Sequence, residues 1–600
     1  MSAAQVTGAE NVQWDLGDLY SGVDDPTLQQ DLERVLEQAQ QFAQNYKGRV
    51  EGLDASQLLT ALQEYEAIKE LSGRMASYAS LSWTTDTLNP DYGRLMSLTQ
   101  RRASEVTQLL VFFSLEWMKA SEETAALADD PVLAHYQHYL KLTRLGAPYA
   151  LGEKEEQLVS ELSLTGMEAW ERYFGEVLSA ARYEFEGERL NQSEILRNVY
   201  HPDRTRRQGA ADAFTAGLQT LAHTTTFVFN QMALNKHSID KVRGFPTWVS
   251  ERNLWNQTDD QTVETLIDSV TGRYDIVARY YTLVRQMLGY DTLYEYDRYA
   301  PVMQFEQSVM QWGDARELVL SSFNAFSPQM SGIAAQFFEK NWIDAALKPN
   351  KRGGAYSHSV VPSVHPYIFM NYTGEPRTVM TLAHELGHGV HQFLSRSRGY
   401  LQADSPLTTA EMASTFAEML VFDAIMAQTD DPKQRLSMRM EKIADTFATV
   451  FRQISLNRFE HALHTTVRQE GELTTARISE LWMTSQQAMF GDSLTLRDEY
   501  SLWWSYIPHF IGSPGYVYAY AFGELLVWAL YARYQAEGGD FPQRYLDALA
   551  TGGSVWPHDA VAPLGADLQD PAFWQGGLSL IEDMVALAEQ EAEGLNFQMA

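Results

Sequence analysis

Residues 376–394, PRTVMTLAHELGHGVHQFL, decide how this chain folds around its most reactive side chains. Placed on a helical wheel at about 100° per residue, His384, His388 and His391 share one face, and Glu385 lies beside them. The opposite face is apolar and carries Val379, Leu382, Leu386, Val390 and Phe393. A proline at the first position suits the first turn of a helix. The stretch therefore predicts a helix that buries one face and presents histidines on the other.

The spacing of these histidines indicates a metal site. Residues four apart stand one helical turn apart, so the imidazoles of His384 and His388 can reach one tetrahedral zinc ion. Glu385 lies about a quarter-turn away, where it can act on a metal-activated water as a general base. Gly387 and Gly389 each cost about 1 kcal/mol relative to alanine in a helix. We expect another backbone or a substrate to pass close to them. The alternative is an accidental histidine pair on a solvated helix.

Two further residues are candidates near this helix. His391 stands about 10 Å from His384 along the axis, too far for one ion to span, so we assign it to packing or to hydrogen bonding behind the ligands. Glu411 lies on a second predicted helix that begins near Pro406, on a face shared with Glu418. Glu411 would complete the two-histidine, one-carboxylate ligand set of a catalytic zinc. It could equally close a capping box with Thr408, and the residues alone leave both possibilities open.

Helical periodicity dominates the rest of the chain. Apolar residues from Leu28 to Tyr46 recur at three- and four-residue spacing, after an Asp25-Pro26 start signal. Similar patterns continue to about residue 180, where residues 182–190 predict a short hairpin around a Glu-Gly turn. Strand signal returns only in residues 355–372. The chain is therefore predicted to be mainly α, with a small sheet near the candidate site.

The composition argues against several classes of function. The chain has 78 acidic and 46 basic residues and a net charge of −32, which repels nucleic acid and anionic lipid. It has no cysteine, which excludes disulfides, thiolate ligands and a cysteine nucleophile and fits a reducing cytoplasm. Residues 1–10 show no signal-peptide pattern, and no stretch approaches the ~18 apolar residues of a spanning helix. We expect a cytoplasmic protein that binds neither nucleic acid nor membranes; its oligomeric state is not predicted.

At these residues the sequence resembles the oligoendopeptidase F family, relatives of thimet oligopeptidase and neurolysin. The resemblance extends over nearly the whole chain, with its motifs in order. These are WDLGDLY at 14–20, YHPDR at 200–204, HPYIFMNY at 365–372, HELGH at 384–388, EMASTFAE at 411–418, PHF at 508–510 and YVYAY at 516–520. One segment, residues 511–515, departs from the more aromatic sequence usual in the family. The roles of the tyrosines near it are correspondingly less well defined.

The resemblance implies a fold and an activity. The expected molecule is multi-helical, prolate and two-part, with a deep channel and one zinc ion at its floor. Residues 1–200 would form a helical N-terminal domain and residues 201–600 the catalytic domain. The expected activity is cleavage of internal bonds in short peptides, as in peptide catabolism. By the match His384, His388 and Glu411 are the zinc ligands and Glu385 the general base.

The resemblance also extends to residues outside the metal cluster. The family places its oxyanion donors in the segment that here contains His509, Tyr516 and Tyr520. Tyr518 points to the other side of the predicted helix and is expected in the core. We further predict that residues 360–372 form an edge strand that binds the peptide backbone, with Tyr367 and Tyr372 at the substrate.

Three alternatives are weighed against the endopeptidase. A zinc aminopeptidase would need a pocket for a free N-terminus, and no Gly-x-Met-Glu-Asn-like segment is present. A binding protein that had lost catalysis should lack Glu385 or a ligand, and none is missing. A helical scaffold without metal is the third alternative, and metal analysis by mass spectrometry distinguishes it.

Overall fold

The structure is a computed structural model that describes residues 6–303, 309–595 and 597. The chain divides into two compact units, and each is assembled from three separate segments. The first unit comprises Met1–Pro148, Glu306–Gln428 and Arg533–Ala566, and the second comprises Tyr149–Phe305, Thr429–Ala532 and Asp567–Ala600. Each unit groups residues that lie close together in space, whatever their separation in the sequence. The predicted boundary at residue 200 divides the chain differently and stays a prediction.

The first unit is built mainly from helices. They are α1 (Pro26–Tyr46), α2 (Ala55–Thr85), α3 (Pro90–Lys119), α4 (Glu122–Ala125), α5 (Gln137–Arg144), α13 (Trp312–Phe326), α14 (Pro328–Glu339), α15 (Pro376–Ser395), α16 (Leu407–Ala410), α17 (Met412–Gln428), α23 (Phe541–Leu549) and α24 (Pro557–Val561). The predicted start of α1 is confirmed, because the Asp25 carboxylate accepts from the Thr27 N–H and Pro26 occupies the first turn. Buried Leu28, Leu32 and Val35 form its inner face.

The second unit contains the remaining helices. They are α6 (Glu153–Ser163), α7 (Met167–Ala180), α8 (Gln192–Arg197), α9 (Arg204–Arg243), α10 (Ser250–Trp255), α11 (Asp260–Thr271), α12 (Tyr274–Leu288), α18 (Pro432–Thr449), α19 (Phe451–Glu470), α20 (Thr475–Phe490), α21 (His509–Gly512), α22 (Tyr518–Glu537), whose last turns belong to the first unit, and α25 (Pro571–Gly594). An aromatic-rich core that includes Phe229, Trp482 and Trp504 holds α9, α19 and α20 together. The predicted mainly α class is confirmed.

The predicted hairpin is also present in the second unit. Strands β1 (Tyr183–Phe185) and β2 (Glu188–Leu190) pair antiparallel, with Tyr183 opposite Leu190. The two turn residues between them, Glu186 and Gly187, both have positive φ, at 51° and 84°. That conformation matches the twist of a two-residue hairpin, which explains the glycine.

A three-stranded sheet lies beside α15 in the first unit. Its strands are β3 (Ile343–Asp344), β4 (Tyr356–His358) and β5 (Tyr367–Phe369). The strand order is β3-β5-β4, parallel between β3 and β5 and antiparallel between β5 and β4. The predicted strand signal in residues 355–372 is therefore correct, but the prediction of an edge strand at 360–372 is wrong. β5 pairs on both sides, and β4 is an edge instead.

The N-terminal motif WDLGDLY packs on this sheet. The indole of Trp14 contacts the rings of Tyr367 and Phe369, with centroids 5.9 Å and 5.8 Å apart. Asp18 Oδ2 lies 2.9 Å from His365 Nε2, and His365 in turn stacks on Trp342. The motif thus covers β5 and fixes the sheet next to the predicted metal-binding helix. No described helix is long and apolar enough to cross a membrane.

Candidate active site

The predicted metal-binding helix is α15, and it packs directly against α17. A Cβ atom added at Gly387 would lie 2.4 Å from the Ala413 carbonyl oxygen and 2.7 Å from Ser414 Cα. The close approach of a second backbone therefore explains this glycine, as predicted. Gly389 has a different neighbour, because a Cβ there would meet the Phe337 ring at 2.7 Å. The contact at Gly387 brings the start of α17 against the histidine-bearing turns of α15.

Three predicted ligands converge at this contact. One ligand atom each from His384, His388 and Glu411 lie within 4.8 Å of one another. Glu411 Oε2 is 3.6 Å from His384 Nε2 and 3.4 Å from His388 Nε2. All three side chains remain partly exposed, so the cluster is open to solvent. Two imidazole nitrogens and one carboxylate oxygen with an open side are the donor set that suits a catalytic zinc ion.

The capping-box alternative for Glu411 does not describe the structure. Thr408 lies inside α16 and not at its N-cap, which is Pro406. Glu411 instead follows the last residue of α16, where its Oε2 accepts a 2.7 Å hydrogen bond from Ser414 Oγ. Burial raises the pKa of Glu411, but its hydrogen bond with His388 and the nearby imidazole charges lower it to about 2. Glu411 is therefore an ionised, oriented carboxylate within the histidine cluster.

Glu385 lies one residue after the first predicted ligand, His384, and is buried. Burial raises the pKa of its carboxyl, while the charges of His384 and His388 lower it and that of Glu411 raises it. The backbone N–H of Ser357 on edge strand β4 also bonds to the carboxylate and favours its ionised form. The net shift is upward. A carboxylate with a raised pKa beside a cluster that could hold a metal ion is suited to taking up and releasing a proton.

Glu418, on the next turns of α17, contacts the first histidine of the cluster. Its Oε1 lies 2.6 Å from His384 Nδ1. Burial lowers the pKa of His384, but the hydrogen bond to Glu418 and the surrounding carboxylates raise it to about 9. A carboxylate on Nδ1 fixes the ring so that Nε2 faces the cluster, a common arrangement behind metal-ligating histidines. The contact favours a role in orienting the imidazole over that of a residue on a solvated helix face.

His391 does not join the cluster. It is buried, with Nε2 2.9 Å from Ser405 Oγ. Burial lowers the pKa of its imidazole to about 4, with a further contribution from His388. The prediction that His391 packs behind the ligands rather than binding metal agrees with this position.

The two tyrosines predicted at the substrate are Tyr367 in β5 and Tyr372, which follows that strand. Tyr367 and Tyr372 are both fully buried. The Tyr367 hydroxyl donates to the Asp15 carbonyl oxygen at 2.9 Å, and that of Tyr372 to the Met310 carbonyl at 3.0 Å. The prediction that these side chains contact substrate is therefore not supported, because their hydroxyls hold loops onto the sheet. The Ser357 N–H bond to Glu385 and the Ser414 hydroxyl bond to Glu411 were not predicted from the sequence. The Ser414 bond could have been predicted, because residues three apart on a helix are neighbours.

The remaining predicted catalytic residues belong to the second unit. His509 Nε2 lies 3.3 Å from the Tyr520 hydroxyl, and the rings of Tyr516 and Tyr520 are 5.0 Å apart. Tyr518 is buried and accepts a 2.9 Å hydrogen bond from Asn256 Nδ2, which confirms its predicted place in the core. Burial, with a contribution from Arg452, lowers the pKa of His509. The structure groups the three predicted side chains together, while their catalytic roles stay predictions.

Two histidines and a glutamate on packed helices, with a buried glutamate beside them, define a metallopeptidase type of site. The profile of peptidase family M3 matches residues 198–580, and that of oligopeptidase F matches residues 116–183. The chain belongs to peptidase family M3 and is an enzyme, a metalloendopeptidase.

Individual relatives extend over nearly the whole chain. Oligopeptidase PepF of Bacillus subtilis (strain 168) is 25% identical over 96% of this chain and 87% of its own length. A solved chain from Chlamydophila abortus is 22% identical, covers 98% of this chain and 100% of that chain, and has a TM-score of 0.90. Oligoendopeptidase-F from Enterococcus faecium is 21% identical, covers 95% and 99%, and has a TM-score of 0.69. At these identities the two structures support the fold alone.

Proposed function

We propose that this enzyme is a zinc-dependent endopeptidase that hydrolyses internal bonds of short oligopeptides, with Glu385 as the general base. The observation that carries the proposal is the convergence of His384, His388 and Glu411 within 4.8 Å, next to Glu385. The donor set fits zinc, and one ion per chain would be held by these three residues. Bound there, zinc would act as a Lewis acid on water and the scissile carbonyl.

The chain's own residues account for the proton transfers. Glu385 would take a proton from the attacking water and pass it to the leaving amine, which its raised pKa favours. Glu418 would keep the His384 ring oriented through its contact with Nδ1.

Edge strand β4, whose Ser357 N–H already bonds to Glu385, is the sheet edge best suited to align an extended peptide backbone.

We retain His509, Tyr516 and Tyr520 as proposed hydrogen-bond donors to the oxyanion. The support is the family resemblance and the grouping of the three side chains in the second unit. Removing one such donor typically costs about 10²–10³ in kcat. Tyr516→Phe and Tyr520→Phe delete a hydroxyl while keeping the ring, and the matched change at the core residue is Tyr518→Phe. If both single variants keep wild-type kcat, the tyrosines are structural.

Metal analysis and peptide digestion test the proposal together. The purified protein should contain about one zinc per chain, and a chelator should abolish hydrolysis of a quenched ten-residue peptide until zinc is restored. Glu411→Ala should lower zinc occupancy and activity, whereas the exposed control Glu375→Gln should change neither. Full occupancy and activity in Glu411→Ala would remove Glu411 from the ligand set.

Substrate size is tested in the same assay. The names of relatives such as oligopeptidase PepF support a preference for short peptides. Ten-residue peptides should be cleaved much faster than unfolded casein at equal concentration of bonds. Equal rates would contradict the oligopeptide preference. A cytoplasmic location, which the absence of cysteine favours, is proposed on the sequence alone.

A further inference from the structure

Several buried or half-buried arginines in the second unit have carboxylate partners. Arg204 and Arg207 share Asp297, at 2.7 Å and 2.8 Å. Arg497 pairs with Glu295, and its other guanidinium nitrogen contacts Asp212. This is the expected arrangement, because removing a guanidinium from water is costly unless an anion and hydrogen bonds replace the solvent.

Arg298 and Arg452, here called the arginine pair, depart from that arrangement. Arg298 is only 9% exposed, although it directly follows Asp297 in the chain. Its Nη1 donates to the Tyr500 hydroxyl at 3.0 Å, while its buried Nε and Nη2 have no hydrogen-bond partner among the described residues. Arg452 on α19 is half-buried. Across the described ranges, neither guanidinium forms an ion pair with a carboxylate.

Tyrosines surround the arginine pair. The groups that act most strongly on either arginine are Tyr299, Tyr500, Tyr506, Tyr281 and the other arginine. Arg298 lies 4.5 Å from the centre of the Tyr299 ring, which packs against exposed Tyr200 at 4.7 Å. Burial raises the pKa of Tyr299, but the two guanidinium groups bring it below its ordinary value. Neutral phenols can share hydrogen bonds but leave two positive charges uncompensated.

The residues that the structure describes around the arginine pair therefore supply no anion. In a chain of net charge −32, two neighbouring cations that no described carboxylate pairs with are a local centre of attraction for negative groups. The guanidinium fork matches a carboxylate, which can accept two parallel N–H bonds. Arg298 has two unused nitrogens for such bonds. Arg452 and Tyr506 are both partly exposed to solvent.

We propose that the arginine pair binds a carboxylate of the peptide substrate. This inference rests on the proposed peptidase function and adds to it a substrate class, short peptides that carry a free C-terminal carboxylate or an acidic side chain. The link to the predicted catalytic residues is Arg452, whose charge also acts on His509 in the same unit. A carboxylate bound there would compensate the positive charge of the arginine pair. It would also fix the position of the peptide relative to His509.

Matched peptides test the proposal. The wild-type enzyme would cleave N-acetylated hexapeptides with neutral side chains, ending either in a free carboxylate or in a primary amide. A second amide series would carry one glutamate at each successive position. The variants are Arg298→Gln, Arg452→Gln and Arg452→Lys, and the control is Arg477→Gln, which removes a surface arginine paired with Glu470 and Glu480. Thermal melts verify that each variant is folded.

A preference in kcat/KM of about tenfold or more is expected for the peptides whose carboxylate reaches the arginine pair. Preference for the free acid identifies the C-terminus, and preference for one glutamate position identifies a side chain. Either preference should shrink in both Gln variants, recover in part in Arg452→Lys and persist in Arg477→Gln. Equal cleavage of all peptides by the wild type, or a preference unchanged in both folded Gln variants, would overturn the proposal.

Binding separates this inference from the proposed function. Zinc-loaded Glu385→Gln protein is titrated calorimetrically with the acid and amide peptides, so that no turnover is needed. Tighter binding of the acid that disappears in the additional Arg452→Gln background supports the site even if the wild type hydrolyses no peptide. Equal binding of acid and amide, with or without glutamate, counts against the site even if hydrolysis is efficient.

Discussion

Helices α15 and α19 both place glutamate and histidine side chains on neighbouring turns, yet their environments give opposite results. On α15, His384 contacts Glu418 and Glu411, its pKa rises to about 9, and the cluster remains open to solvent. On α19, Glu460 and His464 are four residues apart and almost fully buried. His464 stacks on Trp248, and neither of its ring nitrogens has a hydrogen-bond partner in the described chain.

Burial dominates ionisation on α19. It raises the pKa of Glu460 to about 8 although the Gly515 N–H donates to its Oε1 at 2.7 Å. It lowers the pKa of His464 to about 3, with smaller contributions from Lys236, Arg468 and His461. Both groups are thus neutral at pH 7. Glutamate and histidine form a charged cluster that could bind a metal only where further carboxylates and solvent surround them, as on α15.

The largest expected effect follows removal of the α15 base. Glu385→Gln should lower kcat by about 10²–10⁴, because an amide cannot accept the water proton. Zinc content should stay near one per chain, measured by mass spectrometry on the same preparation. Glu375→Gln makes the identical change at an exposed position before α15 and should leave kcat unchanged. Near-wild-type turnover in zinc-loaded Glu385→Gln would assign the base to another residue.

A smaller effect is expected at the residue behind the ligand. Glu418→Gln keeps the shape of the side chain but removes the charge that acts on His384 Nδ1. Zinc affinity should fall by about 10- to 100-fold, measured by competition with a chelator of known affinity. An unchanged zinc affinity would show that Glu418 plays no part in orienting the ligand.

The smallest effect on catalysis is expected at α19. The comparison predicts instead that residues of this helix make the stability of the protein depend on pH. In the folded protein Glu460 keeps its proton to about pH 8, whereas the unfolded chain releases it near the ordinary value of 4.5. Folding therefore takes up a proton, and this group makes the wild type less stable as the pH rises from 6.5 to 8. The contribution is at most about 1.4 kcal/mol per pH unit. His464, with its lower pKa, does not titrate in that range.

Glu460→Gln should flatten this slope because glutamine does not titrate. Denaturant unfolding of both proteins at pH 6.5, 7, 7.5 and 8 measures it, and activity at pH 7 should stay within about twofold. If the free energies of unfolding of the two proteins change in parallel with pH, Glu460 is not a protonated buried carboxyl. The stated difference between α15 and α19 would then be wrong.

Local sequence signals determined much of the fold and of the metal cluster. Asp25-Pro26 begins α1 as predicted, and Glu186-Gly187 forms the hairpin turn because a two-residue turn needs positive φ. The four-residue spacing of His384 and His388 follows from helix geometry, which the chain imposes on its own. Even the close approach at Gly387 was readable, since a helix-interior glycine needs a reason.

Tertiary structure alone decided the rest, because burial and charge compensation depend on residues far apart in sequence. Strand order made β5 central and buried Tyr367 and Tyr372, which no periodicity in residues 355–372 could indicate. The residues left Glu411 open between a ligand and a cap, and the packing of α17 on α15 places it with the two histidines. The arginine pair joins residues from distant segments, and only the tertiary structure shows that no described carboxylate pairs with either guanidinium.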